Sequence, residues 1–103
     1  MKRYTVRLSP EAQTDLVLIH PNIAWQSGSV VTADLYVERL SGFLGSFDLF
    51  PERGTVRGEM RAGLRIVGFE RNASIAFIVE DESVVILRIA AKGQQLRFDD
   101  DTT

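Results

Sequence analysis

Cysteine is absent from the sequence, which excludes a disulfide framework, thiolate chemistry and a cysteine-ligated metal, and fits a reducing compartment. Histidine occurs once, as His20, with no serine or aspartate at a recognisable triad spacing and no neighbouring cluster of ligands. Neither a hydrolase triad nor a metal centre is therefore expected, and no cofactor is implied. Proline is scarce, with three residues, and the composition is that of a globular chain rather than a disordered one. No apolar run approaches the roughly 18 residues that a membrane span needs. Met1-Lys2-Arg3 leads straight into "YTVRLSP", a strand-like alternation instead of the apolar core of an export signal, so the expected location is the cytoplasm. Lysine is rare too: ten of the twelve basic residues are arginine, the side chain suited to bidentate contact with carboxylates or phosphates. A net charge of −2 argues against bulk electrostatic attachment to nucleic acid.

What remains is 103 residues, 45% of them apolar, enough for one domain with a small core. Residues 4–9, "YTVRLS", alternate as a half-buried strand. Ser9 then caps a helix with Pro10 at its first position and Glu11 at the positive end of its dipole. Ala12, Leu16, Ile19 and Ile23 recur at helical spacing to about residue 27, and Pro21 inside this stretch predicts a kink or break, because it crowds the carbonyl of Val17. "SGS" (27–29) separates a second helix with Ala33, Val37, Leu40, Leu44 and Phe47 on one stripe, widened by Tyr36, Phe43 and Phe50. Gly42 and Gly45 weaken it unless they permit close packing on the first helix. After "FPERG" the period becomes two. Residues 63–70, 73–80 and 83–90 read as an antiparallel meander joined by "RN" and "DE". The expected class is α+β, order β-α-α-β-β-β: an N-terminal helical hairpin packed on a small antiparallel sheet. Residues 1–96 form the domain, and 97–103, with Asp99, Asp100 and Asp101, read as a disordered acidic tail.

"PERGTVRGEMRAGLR" (51–65) spaces Arg53, Arg57, Arg61 and Arg65 four apart among Gly54, Gly58 and Gly63. Gly58 and Gly63 have the spacing of a phosphate loop, yet Leu64-Arg65 follow where Lys and Ser/Thr are required. Three glycines also disfavour an arginine-faced helix. The stretch is a connector in which Arg53 and Arg57 lie in a loop and Arg65 opens a strand, sharing a face with Val67 and Phe69. Glu80, Asp81 and Glu82 fall in a solvent-facing hairpin turn. Arg88 interrupts an apolar strand, so it either marks an open face or pairs with an acid such as Glu70 or Glu80.

Taken together, "LSPEAQTDL", "FPERGTVR" (50–57), "GLRIVGF" (63–69), "SIAFIVEDESVVILRI" (74–89) and "KGQQ" (92–95) resemble the RelE/ParE superfamily of toxins from type II toxin–antitoxin systems. The resemblance spans residues 4–95. It implies one of two activities. A RelE-like branch cleaves messenger RNA in the ribosome, needing cations for the phosphate charge and an acid/base for the 2′-hydroxyl. Arg65 matches the first basic position of that branch, but Val67 replaces the second, and Ser74 and Gln94 stand where arginines are expected. The tail "LRFDDDTT" holds no Tyr or His, and its aspartates would repel RNA. The "FPERG" and "GLR" wording resembles the ParE-like branch, which implies inhibition of DNA gyrase with no catalytic residue in the toxin itself. An inactive homologue kept as a binding module is the third alternative.

The resemblance also implies a ParD-like antitoxin partner, hence a hetero-oligomer. Its C-terminal segment would fold along the groove between hairpin and sheet, covering surplus apolar surface. Arginines at the rim would meet its acidic side chains. Trp25, Leu35, Phe43 and Phe47 are the expected apolar contacts, and Arg57, Arg61 and Arg65 the ionic ones.

Overall fold

In the computed structural model, which describes residues 2–91, five strands form one sheet in the order β1-β5-β4-β3-β2. The strands are β1 (Thr5–Leu8), β2 (Thr55–Val56), β3 (Arg65–Phe69), β4 (Ala73–Val79) and β5 (Ser83–Ala91). Helices α1 (Pro10–Ser27) and α2 (Val30–Gly45), followed by a 3₁₀ turn at Ser46–Asp48, come between β1 and β2. The tail 97–103, the "KGQQ" close and Gln94 lie outside the described residues. The expected α+β architecture and the β3–β4–β5 meander are present. β1 joins β5 in parallel, from Thr5 beside Ser83 to Leu8 beside Ile86, so the sheet is mixed. The short β2, paired to β3 at Thr55–Ile66 and Val56–Arg65, was not anticipated; two β-branched residues are too few to show a period.

Both helices start as their caps dictate. Ser9 Oγ accepts from Ala12 N at 3.0 Å and Ser29 Oγ from Thr32 N at 3.1 Å. α1 ends on Gly28, whose φ of 72° places it in the left-handed region that glycine adopts freely. Of the kink or break expected at Pro21, the break does not occur: α1 is continuous through it. Val17, whose carbonyl loses its partner there, is 71% exposed, so water can serve the freed acceptor.

The core lies between the hairpin and one sheet face. Ala12 and Ile19 of α1, and Tyr36, Leu40 and Leu44 of α2, pack over Phe69, Ile75, Phe77, Val84, Ile86 and Ile89. A chain of aromatic rings runs through it: Tyr36–Phe69 at 5.6 Å, Phe69–Phe43 at 5.1 Å, Phe43–Phe47 at 5.4 Å and Phe47–Phe77 at 4.7 Å. Three of these contacts are edge-on, the favoured geometry for ring quadrupoles. Phe50 is not part of this stripe. The 3₁₀ turn changes the helical phase after Gly45, and Phe50 emerges 64% exposed. Gly42 and Gly45 do not serve packing between the helices either, since a Cβ at each would meet nothing within 4 Å.

Arg88 pairs with neither Glu70 nor Glu80. The β4–β5 register shifts between Ala76 and Phe77, leaving Leu87 unpaired as a bulge. β1 stops opposite Ile86, so among the described residues no strand pairs with the outer edge of β5 beyond that point. α1 covers this edge instead. Ser9 Oγ accepts no strand partner but donates to Leu87 O at 2.8 Å, and Asp15 accepts from Ile89 N at 2.9 Å and from both Arg88 Nε (2.8 Å) and Nη2 (3.1 Å).

Asp15→Ala strips three hydrogen bonds at once and is expected to cost about 2 kcal/mol in urea unfolding. Asp34→Ala, which removes only the solvent-exposed 2.6 Å contact with His20, should cost less than ~1 kcal/mol. Gly54, at φ 77°, faces the carbonyl of Ile66, and a Cβ there would sit 2.9 Å from Val67 Cβ. Gly54→Ala should therefore destabilise by about 2 kcal/mol or more in the same assay.

Candidate docking groove and arginine edge

The β3–β4 connection comprises residues 70–72 and contains two non-glycine residues at positive φ, Glu70 (52°) and Arg71 (63°), closed by Asn72 N donating to Phe69 O at 3.2 Å. Side chains without glycine's freedom are strained in this conformation. α2 holds it in place. Arg39 donates twice to Glu70, at 2.7 and 3.0 Å, and Tyr36 Oη donates to Asn72 Oδ1 at 2.9 Å. The hydrogen bond from Arg39 keeps the Glu70 carboxyl below its ordinary value. Burial, and then the Glu70 charge, push the Tyr36 phenol up, so Tyr36 stays a donor.

Beside this turn, α1 and α2 leave a cleft of about 280 Å³ lined by Ile19, Asn22, Ile23, Gln26, Tyr36, Asn72, Ala73 and Ala91. A second hollow of about 360 Å³ shares Ile23, Gln26, Tyr36 and Asn72 with it and extends to Arg39 and Glu70. The floor is aliphatic; the walls carry the carboxamides of Asn22, Gln26 and Asn72. Carboxamides are both donors and acceptors, matched to a peptide backbone, while the floor suits an apolar side chain. Among the described residues no group of three or more His, Asp or Glu could hold a metal. No described helix is long and apolar enough to cross a membrane.

The second feature is the β2–β3 edge. Its four arginines have different surroundings. Arg53 folds back over Phe47 (4.5 Å) and Phe43 (5.3 Å) and donates to Phe50 O at 2.6 Å and Ser46 Oγ at 3.0 Å. Arg57, just past β2, bonds Glu59 at 2.6 Å. Arg65 opens β3 and reaches Arg53 O at 3.5 Å. Arg61 is exposed in the 57–64 loop, which closes through Arg57 N donating to Leu64 O at 2.8 Å. Arg65 shares a face with Val67 and Phe69 as expected, opposite Phe77 and Ile75.

The expected contact residues do not converge. Trp25 (85% exposed) and Leu35 lie on the solvent side of the hairpin, while Arg57, Arg61 and Arg65 mark the opposite, strand edge. Phe47 is fully buried and offers no surface in this fold; Phe43 is half-buried beneath Arg53. The groove is formed instead by residues the sequence reading did not select: Asn22, Gln26, Tyr36, Arg39, Glu70 and Asn72. Tyr36 carried the one usable signal, a phenol on an apolar stripe that needs a polar partner. Val67 and Ser74, at the positions compared with RNA-cleaving relatives, lie on strands β3 and β4 with Val67 opposite Ile75 and Ser74 opposite Gly68. Side chains alternate between faces along a strand, so they point to opposite sides of the sheet.

Two helices on one face of a five-stranded mixed sheet are the α+β architecture of solved RelE/ParE-type structures. The family description "ParE toxin of type II toxin-antitoxin system, parDE" matches residues 6–96, and the chain belongs to that family. Among solved structures it is similar to the chromosomal ParDE system of P. aeruginosa, at TM-score 0.74 and 22% identity over 87% of this chain and 97% of that one. It is also similar to the RelBE2 toxin–antitoxin complex of Mycobacterium tuberculosis, at TM-score 0.64 and 25% identity over 91% and 97%. A conserved hypothetical protein of Helicobacter pylori shares the fold at TM-score 0.51 and 13% identity over 85% and 93%. No curated protein matches significantly by sequence.

The Arg39–Glu70 tie gives a pH test. Its stabilisation is complete above the ordinary glutamate value of 4.5 and is lost as pH falls through the lowered Glu70 value. Between roughly pH 5 and 3, the urea midpoint of Glu70→Gln should therefore fall less than that of the wild type.

Proposed function

We propose that this toxin is neutralised by a ParD-like antitoxin seated in the groove and along the arginine edge, and that it inhibits DNA gyrase by binding, without chemistry of its own. The observation that carries the first part is a cleft that combines aliphatic side chains with carboxamides, those of Asn22 and Gln26 without a protein partner among the described residues. It lies next to the β3–β4 turn that holds Arg71, with Arg61 in the loop before the other end of β3. Neither arginine has an acidic partner among the described residues. A peptide with apolar anchors and flanking acids satisfies both surfaces, with charge attraction raising the association rate and the cleft fixing register. The ParDE and RelBE2 assemblies, whose toxins have this fold, support such a partner.

Binding rather than catalysis is supported by the side chains available. RNA cleavage needs a proton acceptor and several cations converging on one phosphate. Here Arg65 has Val67 and Ser74 as companions at the compared positions, and these two point to opposite sides of the sheet. His20 is across the molecule, bonded to Asp34.

Two assays test the reading. With a co-expressed antitoxin, Arg57→Glu combined with Arg61→Glu should weaken binding by about tenfold or more, mainly through the on-rate, with a smaller effect at high salt. The purified toxin should block gyrase supercoiling and leave messenger RNA intact in a translating extract. Cleavage of RNA that is lost on Arg65→Ala would replace gyrase inhibition with the RelE-like activity.

A further inference from the structure

The helical hairpin has a second surface, unrelated to the groove. Ala12, Leu16, Ile19 and Ile23 face the sheet, which turns Val17, Leu18 and Trp25 outward at helical spacing. On α2, Val31 and Leu35 occupy the side opposite Ala33, Tyr36 and Leu40 and are likewise exposed. The bond between His20 and Asp34 bridges the two helices on this side at 2.6 Å, so the outward stripes form one wall. Further along α2, Gly42 and Gly45 have open space where a Cβ would be.

The charges left without a partner here are acidic. Residues 10–45 contain Glu11, Asp15, Asp34 and Glu38 and one cation other than His20, Arg39. Arg39 is held by Glu70, Asp15 by Arg88 and Asp34 by His20, leaving an apolar wall whose unpaired charges among the described residues are Glu11 and Glu38. Such a wall repels nucleic acid and anionic lipid. A second copy set face to face would oppose acid to acid, and an acidic antitoxin segment meets the same repulsion. We propose that the outward face of the hairpin is a second docking surface, for a partner helix whose apolar ridge is flanked by lysine or arginine. The inference does not depend on the identity of the toxin's target.

Trp25 is the only tryptophan and lies on this wall, so its emission reports occupancy directly. Two synthetic helical peptides with the same leucine ridge, one flanked by lysines and one by glutamates, are titrated into the full chain. The lysine peptide should shift the emission to the blue and bind at least about tenfold more tightly than the glutamate peptide, in a salt-sensitive manner. Glu38→Lys should reduce that preference, and Leu35→Ser, at a side chain outside the core, should weaken binding about tenfold with the circular dichroism spectrum retained. Equal affinity for the two peptides, or no shift with either, overturns the proposal. A blue shift on concentrating the chain alone, with dimers in sedimentation, overturns it in favour of a second copy. Neither antitoxin nor gyrase enters the assay, so its failure is distinct from a failure of the proposed function.

Discussion

The chain of rings from Tyr36 to Phe77 is the contact on which the site depends. It joins α2 and the 3₁₀ turn to β3 and β4, and it ends at the polar contacts that hold the β3–β4 turn. Edge-on ring pairs contribute about 0.5–1.5 kcal/mol each beyond their burial, and the contacts lie in one buried series. That rigidity allows Glu70 and Arg71 to remain at positive φ without glycine. Arg39 and Tyr36 reach the turn because the rings beneath them fix where α2 lies. The groove is thus a consequence of how one helix is anchored.

Arginine content, the most unusual feature of the composition, has a largely structural explanation. Arg88 closes an open strand edge through Asp15, Arg39 holds a strained turn, and Arg53 covers Phe43 and Phe47 while satisfying carbonyls at the end of the second helix. Each uses the planar fork of guanidinium, which a lysine could not reproduce. The exposed remainder concentrates after residue 56, on the strand side, while the hairpin is acidic. A nearly neutral molecule therefore presents two surfaces of opposite character.

Much of the architecture was legible in the sequence. Ser9-Pro10, the hairpin stripe and the period-two segments each carry a local signal strong enough to place an element. Where the reading failed, solvent exposure, a change of helical phase or a non-local contact overrode the simple rule. Pro21 did not break α1, because the turn that loses a hydrogen bond lies on the solvent side. Phe50 left the stripe because one 3₁₀ turn is enough to change the phase. Arg88 found Asp15 only because β1 is shorter than β5, a mismatch that no spacing reveals. The groove was the least legible part, since its residues come from α1, α2, β4 and β5 and none is unusual alone.

By itself, then, the amino-acid order determined both helices and the strands other than β2, the class of the fold and the family, because helix caps, hydrophobic periods and the "FPERG…GLR" wording are all properties of neighbouring residues. The tertiary structure alone decided which aromatic residues are core and which are exposed, which arginines are occupied, and which residues line the groove. Those outcomes depend on residues up to 78 positions apart, as Ser9 and Leu87 are, and only chain folding brings such groups within hydrogen-bonding distance.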